Sequence, residues 1–186
     1  MRGTADCVPG EYTVVSHDAG GAEVLSSYLR RSGARCRFVL EGPARRVFER
    51  KLGPLETLGL EDALAARGIV LCGSSWQSEL EFDALGMARE RGLRCITFLD
   101  HWVNYAERFT RAGVVNLPDE IWVGDDIAQQ IAARTFPDMR ICEVQNPYLL
   151  DIAEELARMP LRRDDSSLGI SLLYICEPIG DRKSVV

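Results

Sequence analysis

The sequence predicts an α/β fold in three layers, a parallel sheet with helices packed on both faces. Three observations predict it. Short apolar, β-branched runs recur along the 186 residues. Between them lie segments whose apolar residues fall at helical spacing, and glycine or proline marks most changes from one pattern to the other. Parallel strands need crossover connections and helices supply them, so this alternation implies a parallel sheet covered on both sides.

Tyr12 to Ser16 is the first such run. It stops at His17-Asp18-Ala19-Gly20-Gly21, after which Ala22, Val24, Leu25, Tyr28 and Leu29 share a helical face. The unit is strand, glycine-rich turn, helix. Gly33 is placed to end the helix, and Cys36 to Leu40 forms a second strand broken at Gly42-Pro43. A helix over Ala44 to Leu52 follows. Gly53-Pro54 then interrupts the chain and leaves only Leu55 to Leu58 as a stub of strand. Glu61 to Arg67 is a short helix and Ile69 to Cys72 a buried strand. Gln77 to Arg91 is a helix with Leu80, Ala84, Leu85 and Ala88 on one face. Cys95 to Leu99 is the next strand, and His101 to Arg111 a loop or short helix. Glu120 to Val123 (strand), Asp126 to Thr135 (helix), Arg140 to Val144 (strand) and Tyr148 to Arg158 (helix) complete a domain over residues 1–158.

Beyond it the texture changes. Residues 159–168 (MPLRRDDSSL) are proline-broken and charged, as linkers are, and Ile170 to Cys176 is a new apolar strand. Residues 169–186 are therefore expected to begin a second domain whose remainder is missing. The final DRKSVV (Asp181 to Val186) matches the translation of a common sequencing adapter, so a non-native tail is expected there.

A net charge of -6 argues against a nucleic-acid partner. The one dense basic stretch, Arg45, Arg46, Arg50 and Lys51, has the spacing of a solvated helix face. No apolar run approaches the roughly 18 residues a membrane span needs, and the N-terminus lacks a signal peptide, so the expected location is cytoplasmic. Cys7, Cys36, Cys72, Cys95, Cys142 and Cys176 are dispersed without a C-x-x-C pair and are expected as free thiols. Two distant histidines without clustered partners make no zinc pattern, so no metal is expected.

In open parallel sheets ligands bind at the carboxyl ends of the strands. Those positions carry His17, Asp18, Gly20 and Gly21; Ser74, Ser75, Trp76 and Gln77; Asp100, His101, Trp102, Asn104 and Tyr105; Gly124 and Asp125; and Asn146 and Pro147. Both histidines and two of the three tryptophans fall on this one edge. His17 is a candidate general base, with Asp18 either orienting it or capping the helix. The loop HDAGGAE offers backbone N–H groups to an anion, or simply a tight turn. It lacks G-x-G-x-x-G, and Glu23 in the helix start repels phosphate, which argues against a dinucleotide fingerprint. GSSWQS has Gln77 where a hydrolase elbow needs glycine, and leaves Ser74 or Ser75 as a helix cap. Asp100 to Tyr105 suits a polyhydroxylated ligand, with Trp102 or Tyr105 as stacking face and Asp100, His101 and Asn104 as hydrogen-bonding groups. Core packing beneath a long loop is the other role open to those aromatics.

HDAGGAE, GSSWQS, FLDHWVNY, LPDEIWVGDDIA and QNPY resemble the N-terminal Rossmann-type domain of GT-B-like glycosyltransferases, over about residues 12–158. More narrowly, they resemble proteins of bacterial surface-polysaccharide gene clusters. LLYICEPIG (Leu172 to Gly180) is similar to the first strand of the second domain. The resemblance implies a sugar or glycan acceptor held by this domain and a nucleotide-sugar donor held by the missing one, with no further cofactor. It places His17 where an inverting member keeps its base, and Asp100 and His101 along the cleft. Gly20, Gly21, Ser74, Ser75, Trp76, Gln77, Trp102, Asn104, Tyr105 and Asn146 become candidate substrate contacts. No sugar transfer is expected from this chain alone. A nucleotide-sugar epimerase or hydrolase of the same architecture, or a non-catalytic module binding a ligand or partner, are the alternative readings.

Overall fold

The computed structural model describes residues 10–160. Its elements run β1 (Glu11–Ser16), α1 (Ala19–Ser32), β2 (Arg35–Leu40), α2 (Gly42–Leu52), α3 (Leu60–Leu64), β3 (Ile69–Cys72), α4 (Leu80–Glu90) and β4 (Arg94–Leu99). Then follow α5 (Tyr105–Arg108), β5 (Thr110–Arg111), β6 (Val114–Val115), β7 (Glu120–Val123), α6 (Asp126–Thr135), β8 (Arg140–Glu143) and α7 (Pro147–Arg158). Six strands form one parallel sheet in the order β2-β1-β3-β4-β7-β8.

Alternation along the strands sorts the core into two halves. Tyr12, Val14, Leu71, Ile96, Phe98 and Trp122 pack against α1 and α2, with Tyr148 of α7 joining them. Val15, Val70, Cys72, Cys95, Leu99, Ile121 and Val123 pack against α3, α4, α5 and α6. The result is a three-layer, Rossmann-like α/β fold. α7 docks on α1 through a buried carboxylate: Asp151 accepts from Arg31 Nε at 2.9 Å and lies 2.6 Å from Arg30 Nη2.

Several boundaries differ from the sequence expectation. Leu55 to Leu58 makes no strand; a single bridge from Phe38 to Thr57 and the bond from Leu58 N–H to Phe38 O (2.8 Å) lay this segment along the outer edge of β2. α4 begins at Leu80 instead of Gln77, because the hydroxyls of Ser75 and Ser78 take the N–H groups of Gln77 and Leu80 and hold the chain in turns. α3 is shorter than expected and stops at Leu64. The stretch after β4 holds α5 and also a β5–β6 hairpin, turning at Ala112 (φ 47°) and Gly113 (φ 81°).

Lys51 departs from the expected solvated face. Its ammonium lies 2.7 Å from Glu23 Oε2, donates to Ser27 Oγ at 2.6 Å and covers the Tyr148 ring at 4.6 Å, tying α1, α2 and α7 together. Cys36, Cys72, Cys95 and Cys142 are free thiols. No helix among the described residues is long and apolar enough to cross a membrane. Cys7, Cys176, the linker from residue 161 onward, the strand expected over Ile170 to Cys176 and the final DRKSVV lie outside the described residues.

Candidate functional site

The chain goes from β1 to β2 on one side of the sheet and returns to β3 on the other, so the order reverses between β1 and β3. In open parallel sheets a crevice opens at such a reversal, at the carboxyl ends of the strands. Two glycines bring its walls together. A Cβ on Gly21, in the first turn of α1, would stand 3.4 Å from Gly73 Cα at the exit of β3.

Asp100, at the end of β4, is held against that turn. Its Oδ1 accepts from Ser74 Oγ at 3.1 Å, its Oδ2 lies 3.4 Å from His101 Nε2, and a Cβ on Gly20 would collide with Oδ2. The positive end of α1 therefore faces the protein's own carboxylate. A phosphate would have to displace Asp100 to reach it.

His17 stands on the β1 side. Its Nδ1 is 3.0 Å from Asp18 Oδ1, and both side chains are partly exposed. Asp18 occupies the N-cap position of α1 but makes no capping bond, so its carboxylate orients His17. An acceptor at Nδ1 favours the tautomer with the proton there and leaves the Nε2 lone pair bare. Nε2 lies over Gly42, the first residue of α2, where φ is +50° and a Cβ would stand 2.6 Å away. Glycine there keeps the nitrogen uncovered.

Sequence reasoning missed two residues of this site. Glu81 on α4 is 3% exposed, and its Oε1 accepts the His17 backbone N–H at 2.7 Å, while Oε2 has no hydrogen-bond partner among the described residues. Burial pushes its carboxyl up to about 7, and the Asp18 charge acts in the same direction. The available signal was its spacing: Glu81 shares the buried helix face with Ala84, Leu85 and Ala88. Arg108 on α5 is also buried; its guanidinium donates to Ser74 O at short range and to Val103 O at 3.4 Å. One cation thus clamps the loops that follow β3 and β4.

Those loops carry the exposed aromatics. Trp102 is 56% exposed, and its indole N–H donates to Asp125, at 3.2 Å from Oδ1 and 3.0 Å from Oδ2. Asp125 also caps α6 by accepting from Ala128 N–H at 2.7 Å. The ring is thereby anchored at its edge with much of its surface open. Trp76 is 51% exposed, and Gln77 beside it faces solvent too.

Other expected contacts fall out of the group. Tyr105 is no stacking face: it is 3% exposed, packs in the core under the loop, and burial lifts its hydroxyl to about 12. Ser74 and Ser75 are buried and cap no helix; Ser74 bonds Asp100, and Ser75 closes its own turn. Asn104 is exposed in a left-handed conformation (φ 59°) just before α5. Asn146 uses its side-chain oxygen to cap α7, accepting from Tyr148 N–H at 3.0 Å. It also stands four strands from β1, roughly 19 Å at the usual strand spacing, too far to join His17.

The arrangement combines an oriented imidazole, carboxylates, an anchored indole and a sealed helix end. Carboxylates accept hydrogen bonds from hydroxyl donors and repel anions. A cavity of about 650 Å³ lies elsewhere, lined by Glu61, Asp62, Asp83 and Glu90 among others, and includes none of these residues. Among the described residues no cluster of His, Cys, Asp and Glu is arranged to hold a metal ion. Comparison with family models, curated proteins and solved structures finds no match for this chain.

Proposed function

We propose that this chain is the acceptor-binding half of a GT-B-like sugar transferase of surface-polysaccharide synthesis, with a second domain gripping the nucleotide-sugar donor. One observation carries this reading: the crevice between β1 and β3 pairs a carboxylate-oriented imidazole with a helix N-terminus already filled by Asp100. That combination favours a neutral hydroxyl ligand over a diphosphate at this edge, as an acceptor site requires.

In the proposed reaction His17 Nε2 takes the proton of an acceptor hydroxyl. The acceptor oxygen forms a bond to the anomeric carbon, the bond from that carbon to the diphosphate oxygen breaks, and the nucleoside diphosphate leaves with the electron pair. Asp18 stabilises the imidazolium that forms. Trp102 offers its ring to the apolar face of a sugar, and Asp100 and His101 offer hydrogen bonds to its hydroxyls. Base assistance is typically worth about 10²- to 10⁴-fold.

The test has two arms. In nuclear magnetic resonance titrations of the chain, neutral oligosaccharides are expected to shift His17, Asp100 and Trp102 signals, and UDP, GDP and dTDP to leave them in place. In the chain joined to a donor-binding domain, His17→Ala is expected to lower transfer by about 10²-fold or more. Nucleotide binding at this edge, or wild-type transfer in His17→Ala, refutes the assignment.

A further inference from the structure

We propose that Glu81 is a positioning residue of the site: its buried carboxyl, anchored on the His17 backbone N–H beneath the crevice, sets where the imidazole stands, and a single proton gained or lost there moves it. The inference rests on reading His17 as the base, and its physical core is independent of that reading.

Glu81 approaches from the helical layer opposite α1. Its Oε1 meets the His17 amide at 2.7 Å, the short length expected when a carboxylate accepts. The exit of β3 is kept bare for it: a Cβ on Gly73 would stand 3.4 Å from Oε1 and 3.3 Å from Ser16 Oγ. Glu81 Oε2 and Ser16 Oγ are both buried and have no hydrogen-bond partner among the described residues. A neutral carboxyl carries an O–H donor that the carboxylate lacks, so protonation changes the bonding available on each side of Gly73. The His17 amide and ring belong to one residue, so a change at the amide reaches the ring.

The titratable groups facing Glu81 are His17 and Asp18 from the β1–α1 turn and the Cys72 thiol from β3. Burial and Asp18 oppose ionisation, while the His17 amide and ring favour it, and the balance lies at about 7. The proton therefore exchanges where a base of this kind works.

The test follows the His17 amide, the His17 Cε1–H and the Glu81 side-chain carboxyl carbon by magnetic resonance from pH 5 to 9. In the wild type the amide and the carboxyl carbon are expected to shift with one common midpoint, a comparison that needs no variant. In Glu81→Gln the amide step is expected to vanish. Different midpoints in the wild type, or an amide step that survives in Glu81→Gln, overturn the proposal. Transfer assays on the chain joined to a donor-binding domain separate the two ideas: loss of the step without any transferase activity removes the function and leaves the positioning role, whereas a His17-dependent activity with the step surviving in Glu81→Gln does the reverse.

Discussion

Replacing Glu81 by glutamine keeps the shape of the side chain and removes its charge, so it isolates what the buried carboxyl does to stability. An acid whose folded value is raised holds its proton more tightly in the folded state, so folding stability falls as pH rises through the interval between the two values. For Glu81 that interval runs from an ordinary 4.5 to about 7. At about 1.4 kcal/mol per pH unit the lost stability totals about 3 kcal/mol, absent below the lower limit and complete above the upper. Glutamine carries none of it. It does place an amide N–H where Oε2 finds no partner, which shifts the whole curve by about 1 to 3 kcal/mol but not its shape. The readout is therefore a difference of differences. Urea unfolding of both proteins at pH 4, 5, 6, 7 and 8 is expected to show the variant gaining about 3 kcal/mol on the wild type from the acid to the alkaline end. Titrating groups that do not interact with Glu81 act on both curves and cancel, which leaves Glu81 and its neighbours His17, Asp18 and Cys72 as the source of the difference. Curves that stay parallel within about 1 kcal/mol would refute the argument that burial of Glu81 outweighs the bonds that favour its ionisation.

Further outcomes are open to measurement. Gly42→Ala puts a Cβ 2.6 Å from His17 Nε2 at a left-handed position, and is expected to cost about 1 to 2 kcal/mol in chemical denaturation and to shift the His17 ring signals. Asp125→Ala removes the α6 cap, at about 1 kcal/mol, and frees the Trp102 indole; faster Trp102 side-chain motion in relaxation measurements is expected, with Asp125→Asn preserving most of the stability. Asp151 is held below its ordinary 3.8, because burial, which opposes ionisation, is outweighed by bonds from Ser27, Arg31 and Arg30. Its contribution is present above pH 4 and lost as pH falls through the lowered value, so Asp151→Asn is expected to destabilise at pH 7 and to destabilise less as pH falls below 4 by the same unfolding assay.

Periodicity reached most of the architecture. Strands such as Ile69–Cys72 and Glu120–Val123 and the helix Asp126–Thr135 were legible to the residue, since each is bounded by residues that break its pattern. The start of α4 was not, because Ser75 and Ser78 bond backbone groups only once the loop is formed. The site was legible as an edge: His17, Asp18, Asp100 and Trp102 all follow strands. Which of its aromatics is core and which is open was not, since Trp102 in the loop after β4 and Tyr105 at the start of α5 are only three residues apart and differ in where the chain turns.

The sequence by itself determined that strands and helices alternate, that the sheet is parallel, and that polar residues gather at one edge, because these follow from local pattern and from the short reach of each connection. Only the tertiary structure decided which of those residues meet. Of the two roles open to Asp18 it took that of partner to His17, Asp100 came to rest on Gly20, and Glu81 and Arg108 entered the site from helices. Each is a contact between residues far apart in sequence or a choice between two local bonds, and such choices are settled by which groups folding leaves buried without water.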